Sequence, residues 1–326
     1  MRWVIVGAGA VGGVVAGYLA GAGRDVVVVA RGAHLEAIRA RGLAVRSPDG
    51  ERTFRLPAAA DPGEVDWRPG DVAVLAVKSM DSEEVLRSIA AHAPEDTPVV
   101  CLQNGVANEA TALRRFANVY GICVMLPASH LEPGLVVAHS APVPGILDVG
   151  RYPDGVDDTA EAVAAGLRDA GFDSVARPDV MRVKHRKLLS NLGNALDALC
   201  GRVDGLEEAE RPLRAEGEAA LRAAGIAFAT EAEDAERRGD IMTLRPVEGA
   251  PRGGGSSWQS LARHTGSIEA DYLNGEIVLL GRLHGVPTPA NALARRLVVE
   301  AARTGAEPGS VTTPAAFLAE LSALSR

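Results

Sequence analysis

A glycine run set between a short apolar strand and a helix-forming stretch limits this chain more than any other feature. Residues 3–6 read Trp-Val-Ile-Val, and Gly7, Ala8, Gly9, Ala10, Val11 and Gly12 follow at once, opening a stretch with helical character to Leu19. With 36 glycines in 326 residues, a G-x-G-x-x-G spacing arises by chance roughly 0.4 times, so placement carries the weight and spacing alone does not. Between strand and helix, the first glycine permits a tight turn, the second lets backbone approach a pyrophosphate, and the third lets helix pack on strand. The helix N-terminus then offers N–H groups and its dipole to the anion. Residues 7–12 are therefore candidates for holding a dinucleotide.

The same alternation continues. Apolar runs at Trp3–Val6, Val26–Ala30, Val72–Val77 and Val99–Leu102 alternate with helical stretches at Val11–Leu19, His34–Arg41, Ser82–His92 and Asn108–Phe116. That rhythm predicts a parallel sheet with crossover helices, its strands covered on both faces. A more β-rich stretch spans Val119–Met125, Leu135–Ala138 and Ile146–Val149, and Asp158–Ala170 reads as a helix stopped by Gly171. Beyond Pro178 the strand-like runs vanish. Helices are expected over Val180–Leu199, Leu206–Ala224, Trp258–Leu283, Pro289–Arg303 and Pro314–Leu324. The expected fold class is α/β, with an N-terminal domain over 1–176 and an all-helical domain over 177–326. Gly249–Gly255, with Pro251 inside it, reads as a mobile loop.

Composition excludes several classes. Lys+Arg number 34 against 42 Asp+Glu, a net charge of −8 that argues against non-specific nucleic-acid binding. Hydrophobic residues at 47 % and charged residues at 23 % argue against disorder. Cys101, Cys123 and Cys200 contain no C-x-x-C pair and give no disulfide framework, which suits a reducing, cytoplasmic setting. The seven histidines are scattered, so no metal site is expected. Val4–Gly23 carries no charge, and its Gly9, Gly13, Gly17, Gly21 series has the spacing of membrane helix pairs. Seven of those twenty residues are glycine, which leaves too few large apolar side chains for a span, and no membrane partner is expected.

Polar residues stand at the carboxyl ends of the expected strands, where open α/β sheets bind ligands. Arg31 follows the second strand at the place where an acid would bind the ribose hydroxyls of NAD. A guanidinium there suits the 2′-phosphate of NADP(H), gripped by parallel charge-assisted hydrogen bonds. Lys78 and Asn104 follow the next two strands; taken singly, each also reads as an ordinary turn residue. In the second domain, Lys187, Asn191 and Asn194 fall at i, i+4 and i+7 of one expected helix. Alone, Lys187 reads more readily as part of a solvated basic face with Arg182, Lys184, His185 and Arg186 than as a catalytic group. Ser257 and Glu269 lie at the start and middle of the expected 258–283 helix.

These residues together resemble the ketopantoate reductase family. The resemblance rests on Gly7-Ala-Gly-Ala-Val-Gly12, Arg31, Ala-Val-Lys78-Ser, Gln103-Asn104-Gly105-Val106, Lys187-Leu with Asn191, Ser257, Glu269-Ala-Asp-Tyr-Leu-Asn-Gly275, and His284-Gly-Val-Pro-Thr-Pro289. It implies a Rossmann-type NADP-binding domain followed by a helical substrate and catalytic domain. It also implies NADPH-dependent reduction of 2-dehydropantoate to pantoate, on the pantothenate and coenzyme A pathway. By that resemblance Lys187 is the general acid, and an ordinary lysine, pKa ~10.4, is protonated at neutral pH yet acidic enough to protonate a developing alkoxide. Glu269 binds the substrate hydroxyl, while Asn104, Asn191, Asn194 and Ser257 hold the small 2-oxo acid and Lys78 lies at the nicotinamide end. A homodimer is compatible with the sequence.

Three departures bear on the substrate. Ala195 stands where the family commonly has a second asparagine, with Asn194 one residue earlier, and His185 stands where an aromatic is frequent. The polar run after the serine pair is altered at Trp258 and Ser260. Reduction of another 2-oxo acid or an imine is thus a second reading, and a non-catalytic NADP-binding sensor a third. Methyl transfer is disfavoured by Arg31.

Overall fold

The computed structural model describes residues 1–250 and 252–324. The chain divides into two compact units, Met1–Lys184 with Thr230–Arg252, and His185–Ala229 with Gly253–Arg326. The first contains β1 (Arg2–Val6), α1 (Ala10–Gly21), β2 (Val26–Val29), α2 (Gly32–Arg41), β3 (Leu43–Ser47), β4 (Gly50–Phe54), β5 (Ala58–Ala59), β6 (Asp71–Leu75), α3 (Ser82–His92), β7 (Val99–Cys101), α4 (Asn108–Leu113), β8 (Val119–Met125), β9 (Ala128–Glu132), β10 (Leu135–Ala138), β11 (Ile146–Arg151) and α5 (Asp158–Asp169). Next come α6 (Val180–Asn191), inside which the division falls, α7 (Asn194–Cys200) and α8 (Leu206–Ala223). Then follow α9 (Glu231–Arg238), α10 (Ser256–Ala262), α11 (Asn274–His284), α12 (Pro289–Thr304) and α13 (Pro314–Leu324).

Among the described residues the strands form two sheets. The larger has the order β11-β8-β7-β6-β1-β2-β5 and is parallel except for β11, which runs antiparallel to β8. Trp3 pairs with both Val26 and Val72, so β1 sits at the point where the strand order turns back. The central strands are apolar along most of their length because both faces are covered. Trp3, Ile5, Val28 and Val74 face a core that includes Val15 and Leu19 of α1 and Val163 of α5. Val4, Val6, Val29 and Leu75 face Val85, Leu86 and Ile89 of α3 on the other side.

Of the smaller sheet, in the order β4-β3-β10-β9, only β10 was legible in the sequence, as the β-rich stretch Leu135–Ala138. Its β4 is almost wholly exposed, so it carries little apolar signal. This sheet also explains the glycine spacing of α1. A side chain at Gly13 would meet Val136 of β10 at 2.8 Å, and one at Gly17 would collide with Val45 of β3. Gly13, Gly17 and Gly21 thus form a face that lies against β-structure. No helix among the described residues is long and apolar enough to cross a membrane.

Two expected helices are broken. Val180–Leu199 is interrupted at Leu192 and Gly193, where the Leu192 carbonyl is taken by the Asn274 amide at 3.1 Å and Gly193 packs directly on the Glu210 carboxylate. Trp258–Leu283 is three segments, α10, a 3-10 turn at Glu269–Tyr272, and α11. His264, at φ +50°, and Gly266, at φ +71°, end α10 in left-handed conformations that no helix can continue.

The second unit is also not one continuous stretch. Residues 230–252 return to the first unit, where α9 buries no residue and is held by charge instead. Arg237 donates to Asp148 of β11 at 2.8 and 2.5 Å and pairs with Asp173, and Arg182 donates to Glu233 at 2.7 Å. Arg245 N–H then donates to the His139 carbonyl at 3.0 Å. A cut near 176 overlooks this return because polar helices carry no apolar pattern to assign them.

Candidate active site

The carboxyl ends of β1, β2, β6 and β7 carry the first set of candidate residues. Gly7 stands at φ +109°, and a side chain there would come 2.7 Å from Ala76 and Val77 of the neighbouring turn. A Cβ at Gly12 would collide with the Gly7 carbonyl and come within 2.8 Å of the Ala76 side chain, as expected of the glycine that seats helix on strand. Gly9 differs from both, because a Cβ there meets nothing within 4 Å. It caps α1 without a side-chain hydrogen bond, and the first turn of α1 contains no acid. Open space in front of a helix N-terminus lacking negative charge fits the pyrophosphate of a dinucleotide.

His34 of α2 holds this loop from the side. Gly134 N–H donates to its Nδ1 at 2.8 Å, which leaves the proton on Nε2 to donate to the Ala8 carbonyl at 2.7 Å. The His130 ring lies 4.1 Å from the His34 ring. Sequence reasoning missed His34, for its partners are distant in the chain and no motif marks it.

Arg31 caps α2 at the end of β2 and is 55 % exposed. Its guanidinium stands 3.7 Å from Glu84, itself 70 % exposed. So exposed a pair contributes little, about 0–1 kcal/mol, and yields readily to a phosphate.

Lys78 and Asn104 lie on adjacent turns, both partly buried. The turns are stapled by buried polar side chains. Gln103 Nε2 donates to the Val77 carbonyl at 2.7 Å and to Ser82 Oγ at 2.9 Å, Ser82 donates to Asn108 Oδ1 at 2.8 Å, and Asn108 Nδ2 donates to Ser79 Oγ at 3.0 Å. Gln103 was read only as part of a motif; Ser82 and Asn108 were not singled out.

In the second unit, Lys187 and Asn191 share a face of α6, with Asn191 only 6 % exposed. Asn194 does not extend that face. It opens α7 beyond the break, so the i+7 relation to Lys187 fails, and its side-chain oxygen lies against Gly255. Gly253 and Gly254 pack under the Trp258 ring, and Asp197 accepts the Gly255 N–H at 2.9 Å. The glycine triplet thus packs on Trp258 and Asn194 within the segment read as a loop, while Pro251 lies outside the described residues. It delivers Ser257, which is 3 % exposed, as the second residue of α10. Glu269 is half-buried and opens the 3-10 turn, so it shares no helix with Ser257.

A buried relay missing from the sequence reading connects these segments. Asn274 Nδ2 donates to the Leu192 carbonyl and, at 3.0 Å, to Asn291 Oδ1; Asn291 donates in turn to Glu216 at 2.8 Å. Glu216 also accepts the Ala290 and Asn291 N–H groups at 2.8 and 2.9 Å. The end of α6, next to Asn191, is thereby tied to the start of α11, five residues after Glu269. Among the described residues no group of three His, Cys, Asp or Glu side chains could hold a metal ion.

Comparison with known proteins places this arrangement. Residues 3–154 match the family model described as ketopantoate reductase PanE/ApbA, and residues 179–301 match its C-terminal counterpart. The 2-dehydropantoate 2-reductase of Archaeoglobus fulgidus is 30 % identical over 306 residues, covering 91 % of this chain and 96 % of the relative. The crystal structure of a PanE/ApbA family ketopantoate reductase from Ralstonia eutropha JMP134 is 30 % identical, with a TM-score of 0.78 over 94 % of this chain and 99 % of the other. A ternary structure of D-mandelate dehydrogenase with NADH and anilino(oxo)acetate superposes with a TM-score of 0.80 over 94 % of this chain and 99 % of the other, a likeness of fold at 24 % identity. With both family models matched in order and relatives aligned over nine-tenths of its length, the chain belongs to the ketopantoate reductase PanE/ApbA family.

Proposed function

We propose that this protein is an NADPH-dependent 2-oxo acid reductase that converts 2-dehydropantoate to pantoate. The observation that carries the reading is the strand edge of the first unit. There Gly9 opens on free space at a helix N-terminus, and an exposed, weakly paired Arg31 ends the next strand. Residues 7–12 would take the pyrophosphate, Arg31 the 2′-phosphate, and Lys78 and Asn104 the nicotinamide end. When bound, the reduced nicotinamide supplies the hydride.

The chain's own residues do the rest. Lys187 Nζ donates a proton to the substrate oxygen as the carbonyl π bond gives way, and solvent returns the proton to the amine afterwards. Asn191, on the same face of α6, orients the substrate, as do Asn104, Asn194 and Ser257. Glu269 accepts the substrate hydroxyl, and its short 3-10 turn keeps it separate from the helix of Ser257. Steady-state turnover of 2-dehydropantoate with NADPH and with NADH tests the proposal, and comparable kcat/KM for the two nucleotides refutes the role of Arg31. Lys187→Ala should lower kcat by about 10²–10⁴, the usual contribution of a general acid. A loss under about tenfold refutes the assignment.

A specific observation favours a second substrate reading. Asn194 lies against Gly255, and the apolar Ala195 stands where the family commonly has a second asparagine, which supports a substrate other than 2-dehydropantoate. Turnover on a panel of 2-oxo acids and imines distinguishes the two, with the hydride and proton chemistry unchanged.

A further inference from the structure

The first unit contains a buried ion pair that the mechanism above does not use. Lys184 is 3 % exposed and Glu109 0 %, and Lys184 Nζ stands 2.8 Å from Glu109 Oε1. The same ammonium donates to the Gln103 carbonyl at 2.8 Å and to the Ile122 carbonyl at 3.0 Å, while Glu109 faces it as a buried counter-charge and not as a hydrogen-bond acceptor. Room for the carboxylate comes from Gly121, where a Cβ would lie 3.0 Å from Glu109 Oε1. The buried Cys101 thiol flanks the pair; burial first, and then the Glu109 charge, push its pKa well up and keep it neutral.

A buried ion pair is a poor device for stability, because desolvation offsets the attraction and apolar replacements frequently serve as well. What an apolar pair cannot do is hold carbonyls. Gln103 is the residue before Asn104, and its side chain grips the Val77 carbonyl, one residue before Lys78. We propose that Lys184, oriented by Glu109, is a positioning residue that acts through Gln103 to set the two turns carrying Asn104 and Lys78. The proposal rests on the functional reading above for what those turns bind, but not for the clamp itself.

The test compares the parent with the double variant Lys184→Met with Glu109→Gln, which removes both charges at nearly constant volume. The readouts are thermal melting, amide hydrogen exchange of the turns at 76–82 and 101–106, and steady-state reduction of 2-dehydropantoate. The expected result is melting within about 3 °C of the parent, exchange at least tenfold faster in both turns with α1 unchanged, and kcat/KM at least tenfold lower. Parental exchange and kcat/KM within twofold of parent overturn the proposal. If the double variant does not fold, Ser82→Ala decides, because it removes one small hydroxyl from the far side of the same staple. Faster exchange at 76–82 with at least threefold lower kcat/KM supports the clamp, and no change in either overturns it. A parent that reduces no 2-oxo acid defeats the functional reading alone, since the exchange measurement still judges the clamp.

Discussion

Alanine at Gly9 and alanine at Gly12 should separate ligand access from packing within one motif. At Gly9 the added methyl meets no protein atom within 4 Å, and φ is −71°, so the backbone tolerates it. Replacing glycine by alanine at a helix cap costs about 0.5–1 kcal/mol, and the stiffer unfolded chain returns about 0.4–1 kcal/mol, so the net effect on stability is near zero. The methyl does occupy the space through which a pyrophosphate approaches. Losing one charge-assisted hydrogen bond, worth about 1.5–3 kcal/mol, weakens nucleotide binding about 10- to 100-fold. At Gly12 the balance differs, since the methyl collides with the Gly7 carbonyl and stands 2.8 Å from the Ala76 side chain. Overpacking against backbone costs about 3 kcal/mol, and better helix propensity returns about 1 kcal/mol, leaving about 2 kcal/mol of destabilisation. For a unit of this size the melting temperature should fall by about 4–8 °C. Calorimetric melting and titration with NADPH measure the two effects. A Gly9→Ala protein that melts several degrees lower, or that binds NADPH as the parent does, refutes the reasoning.

Three further outcomes are expected. Arg31→Ala should raise the Kd for NADPH about 10- to 100-fold through the loss of its charge-assisted hydrogen bonds and leave NADH within about threefold, as isothermal titration would read. Arg237→Ala should release α9 from β11, seen as faster amide exchange over 231–238 with α5 unchanged, because α9 buries no residue and depends on the Asp148 and Asp173 contacts. Equal exchange in α9 would show that other contacts hold it. The hydrogen bond from Arg182, with those from Thr230, lowers the Glu233 pKa from 4.5 to about 2. A carboxylate depressed in the folded state contributes stability that is present above pH 4.5 and lost as the pH falls toward 2, so exchange in α9 should accelerate over that window in the parent and not in Glu233→Gln.

What could be read from the chain alone was whatever neighbouring residues specify together. The strands β1, β2, β6 and β7 are runs of apolar side chains, and a strand covered on both faces needs nothing else to declare itself. The glycine motif was legible for the same reason, since turn, approach and packing are demands on residues a few positions apart. So was the pairing of Lys187 with Asn191, which one turn of helix guarantees.

Contacts between distant residues decided the rest. Polar β4 and α9 acquire their places from partners far along the chain, as Arg237 does from Asp148, 89 positions away. The break in α6 follows from Asn274 taking the Leu192 carbonyl across 82 positions, and it removes Asn194 from the face that periodicity had assigned to it. Lys184 looked like one more cation on a basic helix until the fold brought it to the Gln103 carbonyl, 81 positions distant, and excluded water. Periodicity reports which side of a helix is apolar, but a buried polar group is defined by its partner, and only folding supplies the partner.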